Sequence, residues 1–408
     1  MLYLYNSLTR KKEKFVTLID KKVKIYVCGI TPYDITHLGH AFTYVFFDVL
    51  IRYLRFKKYN VNYTQNVTDI DDDILKKAKE ENRDWRELGN FWINKFLSDM
   101  KSLNVLPSTN YVKATNSIPT MIEMIRVLKK KGFAYQRGGN VYFEVKKFKK
   151  YGKLSGFNYN QMLLISKERG GNPNDVLKKD PLDFLLWQES KIGEPFWESP
   201  WTMVNAGKGE GRPGWHIECS SMINKYLGDQ IDIHGGGRDL VFPHHESEIA
   251  QSESYTNSKP FVKYWIHTAM LLSLGEKMAK SLGNLVMVSD LLKKYSADAI
   301  RWVLLSHHYR TPWEFDEDEL DEAERNASLV SAVKNVTSNE VGDPQGIPPR
   351  QLAGRNDNEL NGNLKHFISL MDDDLNTPDV LKLIVRLSKT SFQQQTIVSF
   401  LSTLGFRM

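Results

Sequence analysis

An early strand, helix, strand succession constrains this chain more than any other feature. Val23-Lys-Ile-Tyr-Val-Cys28 alternates, is rich in β-branched residues and runs into the Gly29-Ile-Thr-Pro-Tyr-Asp34 loop, so it reads as a strand. From Leu38 to about Phe56, apolar residues recur on a helical period (Val45, Val49, Tyr53 among them) with basic residues toward the end. Tyr59 to Thr68 then reads as a second strand. A helical crossover returns the chain to the same end of the sheet, so the two strands run parallel and an α/β fold is predicted.

The rhythm breaks between about Lys113 and Trp201. A helix at Ile118–Lys130, a hairpin-like stretch from Tyr135 and the Gly/Asn-rich Glu168-Arg-Gly-Gly-Asn-Pro173 read together as an insertion. The βα pattern resumes at Gln230–His234, continues through a helix near His244–Ser254 and a strand near Tyr264–Leu272, and turns helical from about Val288. Val341–Asn363 carries Gly, Pro, Asn and Asp with little apolar content and reads as a linker, and Leu364–Met408 reads as two or three helices. The expected divisions are 1–112, 113–205, 206–298, 299–345 and 346–408. At 408 residues and 41% hydrophobic content the chain needs no disulfide staples and is too apolar for disorder. It has no uninterrupted apolar stretch of about 18 residues, and its start lacks a basic-then-apolar leader, so a cytoplasmic protein without a membrane partner is expected. A net charge of +6 permits a phosphate-bearing partner without requiring one.

Three groups of residues carry chemistry. His37-Leu-Gly39-His40 falls at a helix start, where unpaired N–H groups and the positive dipole end suit a triphosphate; taken alone, two polar residues covering a helix start explain it as well. Lys277-Met-Ala-Lys280-Ser281 sets two lysines three apart on a loop, where they can neutralise a leaving pyrophosphate; taken alone it is an ordinary basic loop. Cys28, Cys219, His244 and Glu248 form a set of two thiolates, an imidazole and a carboxylate that suits zinc; taken singly, a cysteine is usually a core residue and a His–Glu pair at helical spacing a surface pair. The i, i+4 spacing puts His244 and Glu248 on one helix face, with His245 expected to point elsewhere. These are the only two cysteines in the chain, and each borders a Gly-rich or aromatic loop.

Together the first two groups resemble the HIGH and KMSKS motifs of class I aminoacyl-tRNA synthetases. Further blocks, Asn66-Val-Thr-Asp-Ile-Asp-Asp72, Gly211-Arg-Pro-Gly-Trp-His-Ile-Glu-Cys219, Asp232-Ile-His-Gly-Gly-Gly237 and Phe242-Pro-His-His-Glu246, are similar to the cysteinyl-tRNA synthetase family from Leu2 to about Glu324. The resemblance implies a Rossmann-like parallel sheet split by a connective insertion and followed by a C-terminal helical region. It implies one zinc on Cys28, Cys219, His244 and Glu248, and Mg²⁺ with ATP. It implies ATP contacts at Thr31, His37, Gly39, His40, Gly235, Gly236, Asp239 and Lys280, and a cysteine pocket of Cys28, Gly29, Thr43, Asn66, Thr68 and Trp215. His37, His40, Lys277 and Lys280 would then be catalytic, activating L-cysteine to its adenylate in a monomeric ligase.

Some residues depart from that family. Ala279 stands for the central serine of KMSKS, Asp73 stands where the synthetases have lysine, and 202–211 holds extra residues. Glu168-Arg-Gly-Gly-Asn-Pro173 and Thr31-Pro-Tyr-Asp34 resemble the cysteine ligases of mycothiol synthesis, which use glucosaminyl-inositol as acceptor. The sequence also ends soon after Met371–Pro378, before the anticodon-binding region of the tRNA enzymes. Against this, Glu248, the run His245–Ser252 and the N-terminal Asn6-Ser-Leu-Thr-Arg-Lys11 are similar to the tRNA enzymes, so expectation favours the acceptor stem of tRNA(Cys), with a small amine as the alternative. A catalytically idle paralogue is disfavoured, because His37, His40, Lys277 and Lys280 are all retained.

Overall fold

The computed structural model describes residues 1–201, 210–278, 282–338, 357–389 and 394–407. Five strands form one wholly parallel sheet, ordered Val262–Thr268, Ile231–Gly237, Lys22–Val27, Asn60–Val67, Asn110–Lys113. The chain's first sheet strand thus lies at the centre, with the next two on one side and the last two on the other. Order reverses between Lys22–Val27 and Ile231–Gly237, whose register sets Val27 beside Gly235. Connections that leave neighbouring parallel strands in opposite directions open a crevice beyond their carboxyl ends. Cys28 and Gly29 follow at that point.

The Leu38–Phe56 helix stands where its apolar period placed it. The stretch expected as one strand from Tyr264 to Leu272 divides: Val262–Thr268 completes the parallel sheet, and Leu271–Ser273 joins Glu276–Lys277 and Trp313–Glu314 in a small separate one. The insertion forms an antiparallel sheet whose strand Glu210–Pro213 pairs with Phe184–Glu189, beyond the boundary expected at 205. An N-terminal hairpin, Tyr3–Asn6 with Lys11–Lys14, is tied to the edge of the parallel sheet through buried Asn6. Its Nδ2 donates to the Lys263 carbonyl (3.0 Å) and its Oδ1 accepts from the Trp265 N–H (3.1 Å).

Period-two alternation divides the core. Ile25 and Val27 enter one apolar cluster with the Leu38–Phe56 helix, while Tyr26 and Cys28 enter a second with the insertion and the Trp215–Leu227 helix. The helices Asp357–Asp372, Thr377–Ser388 and Gln394–Thr403 belong to the first cluster through Phe367, Ile384 and Phe400. The first of them begins inside the stretch read as a linker. Buried Arg301 seals this contact: it pairs with Asp48 and donates to the carbonyls of Leu103 (2.9 Å) and Leu404 (2.6 Å). Lys280 and residues 202–209 lie outside the described residues. No helix among the described residues is long and apolar enough to cross a membrane.

Candidate active site

Cys28 directly follows the central strand, Cys219 lies on the buried face of the Trp215–Leu227 helix, and His244 and Glu248 come from the turn and helix after Ile231–Gly237. Cys28 Sγ is 3.8 Å from Cys219 Sγ and 3.9 Å from Glu248 Oε1. His244 Nε2 is 3.4 Å from Cys219 Sγ and 3.1 Å from Glu248 Oε1. Bonds to a central zinc would hold tetrahedral ligands about 3.3–3.8 Å apart, so the four atoms form a shell of the right size for one ion. Charge makes the same demand. Burial pushes the Cys28 thiol and the Glu248 carboxyl well up and the His244 imidazole well down. Only protons or a cation can compensate such a set, and a dication supplies its charge at the point where the acids converge.

His245 does not point elsewhere. Its Nε2 lies 3.3 Å from Cys28 Sγ and 4.0 Å from Glu248 Oε1. Residues at i, i+3 also share a helix face, and extended backbone at Phe242 (φ −140°, ψ 135°) breaks the chain just before the helical turn that carries His244 and His245. A chain of imidazoles extends behind it: His245 Nδ1 is 2.8 Å from His267 Nε2, and His267 Nδ1 is 2.8 Å from Ser7 Oγ. His234 Nε2 lies 2.9 Å from Glu248 Oε2, and His216 Nδ1 lies 3.1 Å from His244 Nδ1. Such outer partners fix ligand orientation and tautomer. Cys28, His234, His245 and Glu248 also lie close enough to share an ion, but Cys28, Cys219 and His244 are the ones that line the cavity.

That cavity has a volume of about 480 Å³, within the range of small-molecule sites. Gly29, Thr43, Asn66, Thr68 and Trp215 line it, as do Thr31, His37, Gly39, His40, Asp239 and Lys277. The Gly29 N–H donates to Asn66 Oδ1 (2.8 Å), Thr43 Oγ1 lies 2.8 Å from Thr268 Oγ1, and the Trp215 ring stacks on His244 with centroids 4.5 Å apart. Gly235 and Gly236, expected at ATP, do not line it. Gly235 packs under the Leu38–Phe56 helix, where a Cβ would stand 2.0 Å from Phe47 Cζ; its smallness serves helix–sheet contact.

His37 caps the Leu38–Phe56 helix in an extended conformation, and its ring stacks on His40 at 3.8 Å. Burial, reinforced by Lys277, lowers His37 to about 4. Burial and His37 lower His40 well below its ordinary value. Both rings are therefore neutral at pH 7 and offer hydrogen bonds without charge. Lys277 sits in a short hairpin that Asn284 Nδ2 holds by donating to the carbonyls of Ser273 (2.9 Å) and Lys277 (3.1 Å). Its Nζ lies 3.3 Å from Asp239 Oδ2, and Arg169 Nη1 lies 3.3 Å from the same oxygen. Burial pushes the Asp239 carboxyl up, but the two cations outweigh it and hold the group below its usual range. Arg169, Tyr33, Asp34 and Asp73 also line the cavity and were not among the expected site residues.

Reversed strand order at a crevice is common to many α/β folds. What narrows the class is a first crossover helix that opens on a histidine pair, facing a lysine hairpin that follows the last strand. Solved structures agree that the fold is that of a class I aminoacyl-tRNA synthetase. Mycobacterium tuberculosis methionyl-tRNA synthetase in complex with methionyl-adenylate matches with a TM-score of 0.63 at 15% identity, covering 94% of this chain and 87% of that one. An Agrobacterium radiobacter K84 LeuRS ternary complex matches with a TM-score of 0.65 at 10% identity, covering 96% and 83%.

Within that class, the family described as tRNA synthetases class I (C) catalytic domain matches residues 14–325, and the chain belongs to it. Its curated relatives include the cysteine–tRNA ligase of Thermococcus onnurineus, 45% identical over 94% of this chain and 79% of the relative. That of Dehalococcoides mccartyi is 46% identical over 95% and 80%. That of Pyrococcus furiosus is 51% identical over 78% and 65%.

Proposed function

We propose that this protein joins L-cysteine to tRNA(Cys) through a cysteinyl-adenylate, acting as a cytoplasmic monomer. The observation that carries the reading is the Cys28, Cys219, His244, Glu248 shell at the wall of a cavity that also receives the His37–His40 helix start. Zinc held there would supply a seat for the substrate's thiolate. A hydroxyl is a poor zinc ligand, so serine is refused without editing, whereas an apolar pocket would separate such near-isosteres by only about 1–3 kcal/mol.

The side chains then have distinct tasks. Trp215, fixed against His244, closes over the substrate side chain; Gly29, Thr43, Asn66 and Thr68 orient its amino and carboxylate groups. A carboxylate oxygen of cysteine attacks the α-phosphorus of ATP, carried with Mg²⁺ at Thr31, Gly39 and Asp239. The new P–O bond forms as the bond to the bridging oxygen breaks, and pyrophosphate leaves with that electron pair. Neutral His37 and His40 donate hydrogen bonds to the phosphates, and Lys277 with Lys280 takes up the departing charge. A terminal ribose hydroxyl of the tRNA then attacks the adenylate carbonyl and AMP leaves.

Purified protein loaded with zinc should catalyse cysteine-dependent exchange of pyrophosphate into ATP, and label from cysteine should pass to tRNA. Label passing instead to glucosaminyl-inositol, offered in parallel, would move the acceptor to the small amine. Absence of exchange would remove the adenylate itself.

A further inference from the structure

Cations are scarce where the phosphates would sit. Among the described residues that line the cavity, Arg169 and Lys277 alone carry permanent positive charge, against Asp34, Asp73 and Asp239. Burial holds the stacked His37 and His40 imidazoles toward their neutral forms, so they add little positive charge of their own. Lys277 is accounted for by its motif. Arg169 arrives from the insertion, on a run of residues that the proposed mechanism leaves unused.

Its placement is built. The Tyr159–Glu168 helix begins at Asn158 with reciprocal side-chain and backbone caps and ends at Arg169. Gly170 then takes φ +82°, and the Gly171 N–H donates to the Ser166 carbonyl (2.8 Å), closing the helix as a Schellman turn. No side chain fits at Gly171, where a Cβ would stand 2.2 Å from Ser166 Oγ. The two glycines therefore terminate the helix and leave the preceding arginine at its tip. The chain entering the helix is anchored as well: the N–H groups of Leu154 and Ser155 both donate to Glu246 Oε2 (2.9 Å each), two residues from Glu248. From this held position the guanidinium reaches Asp239 Oδ2 at 3.3 Å, on the oxygen that also holds Lys277 at 3.3 Å.

We propose that Arg169 is a further catalytic residue of adenylate formation: its guanidinium meets the β- and γ-phosphates of ATP, and Asp239 aligns it with Lys277 as a two-cation clamp. The inference rests on the adenylate-forming reading above. When the bond between the α-phosphorus and the bridging oxygen breaks, the electron pair passes to pyrophosphate. Arg169 stabilises that charge with fork-like N–H donors and gives up no proton. A preorganised cation of this kind acts on the transition state more than on the adenylate that remains.

The test compares the full chain with Arg169→Ala and Arg169→Lys in cysteine-dependent pyrophosphate exchange, and in binding of a non-hydrolysable sulfamoyl analogue of cysteinyl-adenylate, which lacks the β- and γ-phosphates. Arg169→Ala should lower kcat/KM for ATP by roughly 10²-fold. Arg169→Lys should recover much of that loss, and both variants should bind the analogue within about twofold of the parent. Exchange at the parental rate in Arg169→Ala, or a loss of analogue affinity as large as the loss of exchange, overturns the assignment. If the Ala variant does not fold, Arg169→Gln removes the charge at similar volume and is read in the same way. A parent without exchange would instead remove the adenylate reading. Calorimetry with ATP and AMP then decides Arg169 alone: a preference for ATP that disappears in Arg169→Ala supports the phosphate contact, and an unchanged preference overturns it.

Discussion

The candidate metal-binding residues and the residues proposed to face phosphate share one cavity but are built in opposite ways. Cys28, Cys219, His244 and Glu248 are buried, stand on strands and helices of the parallel domain, and are backed by His216, His234, His245 and His267. Arg169 and Lys277 are partly exposed, stand on an insertion and a two-stranded hairpin, and meet only through Asp239. Distinguishing a thiol from a hydroxyl requires ligand positions that cannot relax. Stabilising the charge of a departing pyrophosphate requires cations that the ligand can reach, and the partly exposed tips of the Tyr159–Glu168 helix and of the lysine hairpin present them there.

The contrast can be broken most severely at Cys219. Cys219→Ser should abolish stoichiometric zinc in metal analysis and cost more than the roughly 10- to 100-fold that outer partners are worth; retained metal with full exchange would remove the ligand set. His245→Ala tests the backing imidazoles. It should weaken zinc affinity by about 10- to 100-fold in chelator competition and leave the Michaelis constant for ATP nearly unchanged, separating the two halves.

On the phosphate-facing side the sharper test is pH. The folded-state value of His37 is depressed to about 4 from an unfolded value near 6.5, so the unfolded chain takes up a proton first. This histidine's contribution to stability is present above about pH 6.5 and is lost as pH falls toward 4. Between pH 7 and 5 the urea midpoint should therefore fall further for the parent than for His37→Gln. The difference is bounded by about 1.4 kcal/mol per pH unit and smaller in practice, because the ring is partly exposed. Equal slopes would show that the ring titrates normally. The smallest effect is expected at the hairpin tip. Leu274 holds φ 57°, which asparagine tolerates better, so Leu274→Asn should raise stability by about 0.5 kcal/mol or less and leave zinc content unchanged.

Local periodicity made the first half of the fold legible. The Leu38–Phe56 helix carries an apolar stripe dense enough to read unaided, and the candidate metal set was legible because only two cysteines had to be placed. Elsewhere the deciding contacts lie far apart in sequence. Glu246–Thr256 is almost entirely polar and would pass for a surface helix. It is buried because Glu246 accepts from the insertion and Gln251 Nε2 donates to the His216 carbonyl and Ser220 Oγ. His267 reads as one more strand residue until Ser7 and His245 are brought to its two nitrogens. Arg169 was visible as part of a distinctive run, but nothing local says that the run ends beside Asp239.

The helices after residue 357 enter the same apolar core as the Leu38–Phe56 helix. They are therefore no detachable appendage. Phe367, Ile384 and Phe400 are each worth roughly 1.5–3 kcal/mol when buried, a sum comparable with the whole net stability of an ordinary domain. Loss of Leu404 would also leave Arg301 short of one buried acceptor. Heat should accordingly melt the parallel sheet and these helices together, in one calorimetric transition. A chain cut back before residue 357 should be recovered as aggregate and not as a smaller working enzyme, so the cooperative folding unit extends well past the last residue of the cavity.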